Sequence, residues 1–253
     1  ERFYSNPFIL WPMNSKNRLE INCDLGEGGA WEKEIFPWID RASIACGGHI
    51  GDEESIIASL ALCKKFAVKA GAHPSYPDRE NFGRISLSIT DEELISSLRN
   101  QIKLISKLAK QNQVTLEHIK FHGALYNDAA KYHQLAKLLI RFIHEEYPST
   151  PLLVPPHSEL EKEALRLQHP FLLEVFGDRR YADDYQLLGR ASEGALLTDF
   201  SAVESQLKGM LARNVLISES GKELPIKAQT LCFHGDNPEI LNLLLPLRKK
   251  YWQ

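Results

Sequence analysis

The chain has 253 residues, enough to bury the core of one large α/β domain. A net charge of −3 and a pI near 6.3 argue against a nucleic-acid or anionic-membrane surface, and no apolar run reaches the roughly 20 residues of a membrane span. Four scattered cysteines, Cys23, Cys46, Cys63 and Cys232, contain no Cys-x-x-Cys pair. Reduced thiols in the cytoplasm are expected rather than a disulfide framework or a structural zinc site.

In chain order, residues 1–17 start at Glu1 and reach a Met only at Met13. Their acidic start and short apolar patch make a poor secretory signal, and they are read as an N-terminal extension to a domain spanning 18–253. From there a short apolar run, a Gly-containing or polar turn and a helical stretch recur. Strands are predicted at 19–23, 42–46, 68–72, 118–121, 152–155, 172–176 and 230–233. Most do not alternate in hydrophobicity, as expected for strands buried on both faces. Helices are predicted at 53–66, 91–111, 131–146, 158–167 and 202–213. Thr90 with Glu93 is a capping-box pattern, and Leu94, Leu98, Ile102, Ile105 and Leu108 keep to one helical face. Residues 215–227, with Gly221 between two apolar runs, predict a small hairpin before the last strand. Seven strands alternating with helices make a mainly parallel sheet, open or closed into a barrel, in a single domain.

The chemistry is written at the strand ends. They read Asn22-Cys23-Asp24-Leu25-Gly26-Glu27-Gly28, Cys46-Gly47-Gly48-His49, Gly71-Ala72-His73-Pro74, Lys120-Phe121-His122-Gly123, Gly177-Asp178-Arg179 and Phe233-His234-Gly235-Asp236. All carboxyl ends of parallel strands open on one face, so residues far apart in sequence share one pocket there. Four of nine histidines, His49, His73, His122 and His234, take such positions with Asp24, Glu27 and Lys120. His118, His133, His144, His157 and His169 are assigned to helices or loops, with surface or packing roles. A lysine within an apolar strand needs a partner, and Lys120 is read as functional. Cys23, Cys46 and Cys232 are read as small buried hydrophobes rather than nucleophiles. Ser220-Gly221-Lys222-Glu223 lacks the glycine and the hydroxyl of a phosphate-binding loop.

These segments, with Phe82-Gly83-Arg84, His122-Gly123-Ala124-Leu125-Tyr126-Asn127, Asp178-Arg179 with Tyr181, and His234-Gly235-Asp236-Asn237-Pro238, resemble the LamB/YcsF family, the A component of bacterial 5-oxoprolinase. The resemblance runs in order from about residue 19 to the C-terminus. It implies a seven-stranded β/α barrel similar to the glycoside hydrolase/deacetylase fold. It also implies ATP-dependent opening of 5-oxoproline (pyroglutamate) to L-glutamate with partner subunits B and C, ATP being bound by the partners. On that reading Asp24, Glu27, His73, Lys120, His122 and His234 are expected to be catalytic, with Asp24 or Glu27 as base. His49, Asn22, Arg84, Tyr126, Asn127, Asp178, Arg179 and Asp236 are expected to bind substrate, with Lys120 and Arg179 holding anionic groups. Self-association is compatible with this reading. The chain departs from the family at Gly48, Phe121, Gly177 and Ile85, where Phe, Pro, Ala and Arg are usual; Gly48 and Phe121 are expected to reshape the pocket together.

Two other classes compete. A metal-dependent amide or ester hydrolase of the deacetylase type would use histidines and aspartates to hold a divalent cation, without ATP. A non-catalytic module would bind a small carboxylate without turnover.

Overall fold

A computed structural model of the chain describes residues 19–190 and 192–252; the predicted extension, residues 1–17, lies outside them. The strands are β1 (Glu20–Leu25), β2 (Arg41–Ala45), β3 (Lys69–His73), β4 (Leu116–Ile119), β5 (Leu152–Val154), β6 (Phe171–Phe176), β7 (Val215–Ile217), β8 (Glu223–Pro225) and β9 (Thr230–His234). Seven form a closed parallel barrel in the order β1-β2-β3-β4-β5-β6-β9, with β9 returning to β1. The predicted hairpin is β7 against β8, antiparallel and outside the barrel.

Both faces of the barrel strands are buried, yet the strands do alternate. Ile21, Cys23 and Leu25 belong to the apolar core, while Glu20, Asn22 and Asp24 make polar contacts across the barrel. Asn22 Nδ2 donates to Thr230 Oγ1 at 2.7 Å, and Ser43 Oγ lies 3.1 Å from His118 Nε2. At the amino-terminal end, Glu20 accepts from Arg41 and Lys69, each at 2.5 Å. The inner surface is therefore largely a hydrogen-bonded polar lattice, although Arg41 Nη1 and His118 Nδ1 find no hydrogen-bond partner among the described residues. His118 sits in β4, fully buried, as the strand predicted at 118–121 requires and against its assignment to a helix or loop; β4 itself starts two residues before that run. Gly71 opposite makes room for it, since a Cβ there would lie 2.3 Å from His118 Nε2.

The helices are α1 (Glu32–Ile35), α2 (Glu53–Phe66), α3 (Asp91–Gln111), α4 (Gly123–Lys131), α5 (His133–Glu146), α6 (Glu159–Leu167), α7 (Phe200–Arg213) and α8 (Ile240–Tyr251). Both α2 and α3 start in reciprocal capping boxes, Asp52 with Ser55 and Thr90 with Glu93. The helix predicted at 131–146 divides: α4 ends at Lys131, Tyr132 is extended, and α5 begins at His133. Helix α8 has no counterpart among the predicted helices; it carries Pro246 in its interior and buries Ile240, Leu243, Leu244 and Leu247. All four cysteines are buried and free, and no described helix is long and apolar enough to cross a membrane.

Candidate active site

The carboxyl ends of the strands open into a cavity of about 220 Å³. Asp24, Glu27, Lys120, His73, His122, His234, Tyr126, Asn127, Arg84, Arg179 and Asp236 all line it. Three residues expected to touch substrate lie behind that wall. Asn22 is fully buried beneath Lys120, His49 packs flat against His122 with ring centroids 3.6 Å apart, and Asp178 is covered by His234. The departures from the family pattern also separate. Phe121 lines the cavity, but the space of a Gly48 side chain is filled by Gln101 and Ser75, whose atoms lie 2.4 Å from a Cβ built there. Gly48 therefore bears on the site only through Ser75, whose hydroxyl lies 3.1 Å from His49 Nδ1.

The deepest group is Lys120. Its Nζ lies 2.9 Å from Asp24 Oδ1, 3.1 Å from Glu174 Oε1, 3.1 Å from Cys232 Sγ and 3.4 Å from Asn22 Oδ1. Burial alone would discharge this amine, but Asp24, Cys232 and Glu174 reverse the effect and raise its pKa well above the ordinary lysine value. Burial likewise works against the Asp24 carboxylate, yet the charges of His73 and Lys120 hold it well below the usual range. Burial pushes the Cys23 and Cys232 thiols far up and Cys46 up to about 12, so none is poised as a thiolate.

Above this ion pair sit three histidines. His73 Nδ1 donates to the Lys120 carbonyl at 2.8 Å, and His122 Nε2 donates to the Phe82 carbonyl at 3.0 Å. Their remaining nitrogens, His73 Nε2 and His122 Nδ1, face each other at 2.9 Å. A neutral pair would set lone pair against lone pair, so a cation belongs between them, either one shared proton or one metal ion. Glu27 Oε1 supplies the countercharge, 3.3 Å from His122 Nδ1 and 3.9 Å from His73 Nε2, while accepting from His49 Nε2 at 2.9 Å. Burial depresses the pKa of both His49 and His122. The residues fit a divalent cation. The point equidistant from the Glu27, His73 and His122 atoms lies about 2 Å from each, the length of zinc bonds to nitrogen and oxygen. Both imidazoles also carry the backbone-carbonyl partner typical of metal-bound histidine.

On the opposite wall, His234 Nδ1 donates to Asp178 Oδ1 at 2.8 Å, which leaves Nε2 to meet a ligand. Asp178 also accepts from the His234 backbone N–H and from Asn237. Burial raises the Asp178 carboxyl, but the His234 charge and these donors bring it below its ordinary value. His122 is placed by the turn into α4: Gly123 has φ +56°, and a Cβ there would lie 2.5 Å from the Gly83 carbonyl. Two residues of the site are missed by sequence reasoning. Glu174 is legible as the lone charge in Phe-Leu-Leu-Glu-Val-Phe, and Arg190, at the cavity mouth, carries no local signal.

A closed parallel barrel with buried acid–base pairs on the carboxyl ends of its strands defines a β/α-barrel protein with an enclosed polar centre. The chain belongs to the LamB/YcsF family, whose model matches residues 19–252. Relatives named as the A component of 5-oxoprolinase, from Staphylococcus aureus strains bovine RF122 / ET3-1 and Newman, are 36% and 35% identical to it. Each match covers 92% of this chain and 95% of the relative. A solved structure, the lactam utilization protein from Thermus thermophilus, superposes with a TM-score of 0.83 at 30% identity, over 92% of this chain and 96% of that one.

Proposed function

We propose that this chain is the ring-opening component of an ATP-dependent 5-oxoprolinase, a cyclic-amide hydrolase that works in the cytoplasm with partner subunits B and C. The observation that carries the reading is one small cavity faced by Asp24 with His73 on one wall and on the other by His234, which Asp178 holds from behind. The names of the relatives, which designate one part of an assembly acting on a lactam, support the substrate.

A lactam resists water because its nitrogen delocalises into the carbonyl. ATP, bound by the partners, removes that protection by phosphorylating the carbonyl oxygen. Asp24, pinned by Lys120, then orients the attacking water and takes its proton as the carbon–oxygen bond forms. His234, as the imidazolium paired with Asp178, donates from Nε2 to the ring nitrogen as the carbon–nitrogen bond breaks, so the amine departs as a neutral group; the acyl phosphate left behind is hydrolysed by a second water to glutamate and inorganic phosphate. Tyr126 and Asn127 close the side of the cavity.

A second reading, a metal-dependent amide or ester hydrolase needing no ATP, is favoured by the facing nitrogens of His73 and His122. Glu27, His73 and His122 would hold the cation, which would supply Lewis-acid activation of water or carbonyl. Glutamate release from 5-oxoproline, measured with and without ATP for this chain alone and with subunits B and C, separates the two. Turnover only with ATP and partners is expected. ATP-independent turnover by the chain alone, abolished by chelator and restored by zinc or manganese, would establish the second reading.

A further inference from the structure

Three arginines from two loops gather at the cavity mouth. Arg84 follows β3, while Arg179 and Arg190 belong to the long connection between β6 and α7. Arg84 Nη2 and Arg190 Nη1 both donate to one oxygen, Asp236 Oδ2, at 2.5 and 2.8 Å. Two full positive charges thus converge on one negative one. Arg179 adds a third that is nearly fully buried. Its guanidinium donates to the carbonyls of Ala195 and Leu188, and among the described residues no carboxylate lies within ion-pair distance of it. A buried cation satisfied only by neutral carbonyls is costly in an isolated protein. The floor of the same cavity is reversed in sign, since Lys120 there is matched by Asp24 and Glu174.

We propose that Arg84, Arg179 and Arg190 form an oxyanion subsite that recognises the carboxylate or phosphoryl group of the ligand, with Asp236 as a resident carboxylate that occupies the arginines until the ligand arrives. Guanidinium pairs suit this task because each offers a planar fork of donors matched to carboxylate and phosphate oxygens. Asp236 engages only one donor from each of two arginines, so further donors stay available for a bidentate ligand. The lactam's own reacting carbonyl would then face Asp24, His73 and His234, which line the cavity below. The choice of ligand rests on the oxoprolinase reading; the subsite itself rests on the charges.

The test is calorimetric binding to the full chain, using 5-oxo-L-proline, 2-pyrrolidinone (the same lactam without its carboxylate) and inorganic phosphate. Arg84 and Arg190 are partly exposed, so R84Q and R190Q should fold. Each variant is expected to weaken 5-oxo-L-proline or phosphate at least tenfold and to leave 2-pyrrolidinone unchanged. D236N should move the other way and tighten the anion about threefold or more, which a purely structural salt bridge would not do. Arginine-dependent binding of 5-oxo-L-proline alone assigns the carboxylate, of phosphate alone the phosphoryl group, and mutual competition assigns both to one position. Affinities unchanged in R84Q and R190Q, or no anion binding at all, overturn the subsite. Arginine-dependent phosphate binding without any turnover of 5-oxo-L-proline, even with partners and ATP, removes the oxoprolinase reading and leaves the subsite standing.

Discussion

Replacing Lys120 with Met keeps most of the side-chain volume and removes the one ammonium that Asp24 and Glu174 share. Asp24 is 8% and Glu174 0% exposed, so the variant strands two carboxylates in the barrel interior. Breaking a buried pair from one side costs about 3–5 kcal/mol. For a chain of this size each kcal/mol moves Tm by about 2–4 °C, so a fall of roughly 10 °C follows. In urea the midpoint should drop with an unchanged slope, since no extra surface is exposed. The deficit should shrink on acidification, because Lys120 is, after His73, one of the charges that hold the Asp24 carboxyl down against burial, and without it a proton can replace the lost charge more readily. Adding Glu174→Gln to the variant should recover part of the loss, with a coupling above about 1 kcal/mol. A loss below about 1 kcal/mol at pH 7, or one independent of pH in a folded variant, would refute the assignment of Lys120 as the electrostatic centre of the barrel.

Other predictions concern single contacts. Asp178→Asn should lower glutamate formation by the reconstituted enzyme about 10²-fold with little change in KM, because His234 loses the acceptor that fixes its tautomer; a change under threefold would contradict the role of that pair. Burial pulls the pKa of His118 far down and that of His169 down to about 4. With both folded-state values below the unfolded one near 6.5, the unfolded chain takes up protons first. Their contribution is complete above that value and fades as pH falls, by roughly 2.7 kcal/mol per unit for two groups between about pH 6 and 4.5. Denaturation midpoints at pH 7, 6 and 5 check this, and a flat profile would exclude it. Gly71→Ala should cost about 1–3 kcal/mol by forcing His118 aside, and a thermal melt equal to wild type would show that the interior yields freely.

The seven parallel strands were legible as short apolar runs, each of which overlaps an observed strand, whereas their closure into a barrel was left open by the residues and came only with the family resemblance. The polar inner face was written in the same text, as Glu20, Asn22 and Asp24 against Ile21, Cys23 and Leu25, but burial on both sides masks that alternation when only hydrophobicity is scored. Helix α4 is hard to read because it opens at a glycine with positive φ behind His122, with no side-chain cap to announce it. Helix α8 is hidden by Pro246, which reads as a breaker although the helix continues through it. The placement of Asn22, His49 and Asp178 behind the cavity wall, and the meeting of Arg190 with Asp236, are set by three-dimensional closure alone. Nothing within a few residues of any of them encodes it.

Closure of the barrel brings β1 against β9, and in that seam Asp24 is the register partner of His234. Roughly two hundred residues separate the two strands, and at about 5–20 residues per second a ribosome needs about 10–40 s to deliver the second after the first. Throughout that interval β1 has an open edge on the side that β9 will cover, the kind of edge that recruits stray strands. Synthesis therefore has a vulnerable window whose end coincides with the birth of the site: a nascent chain holds one half of the Asp24–His234 juxtaposition until its last strand docks.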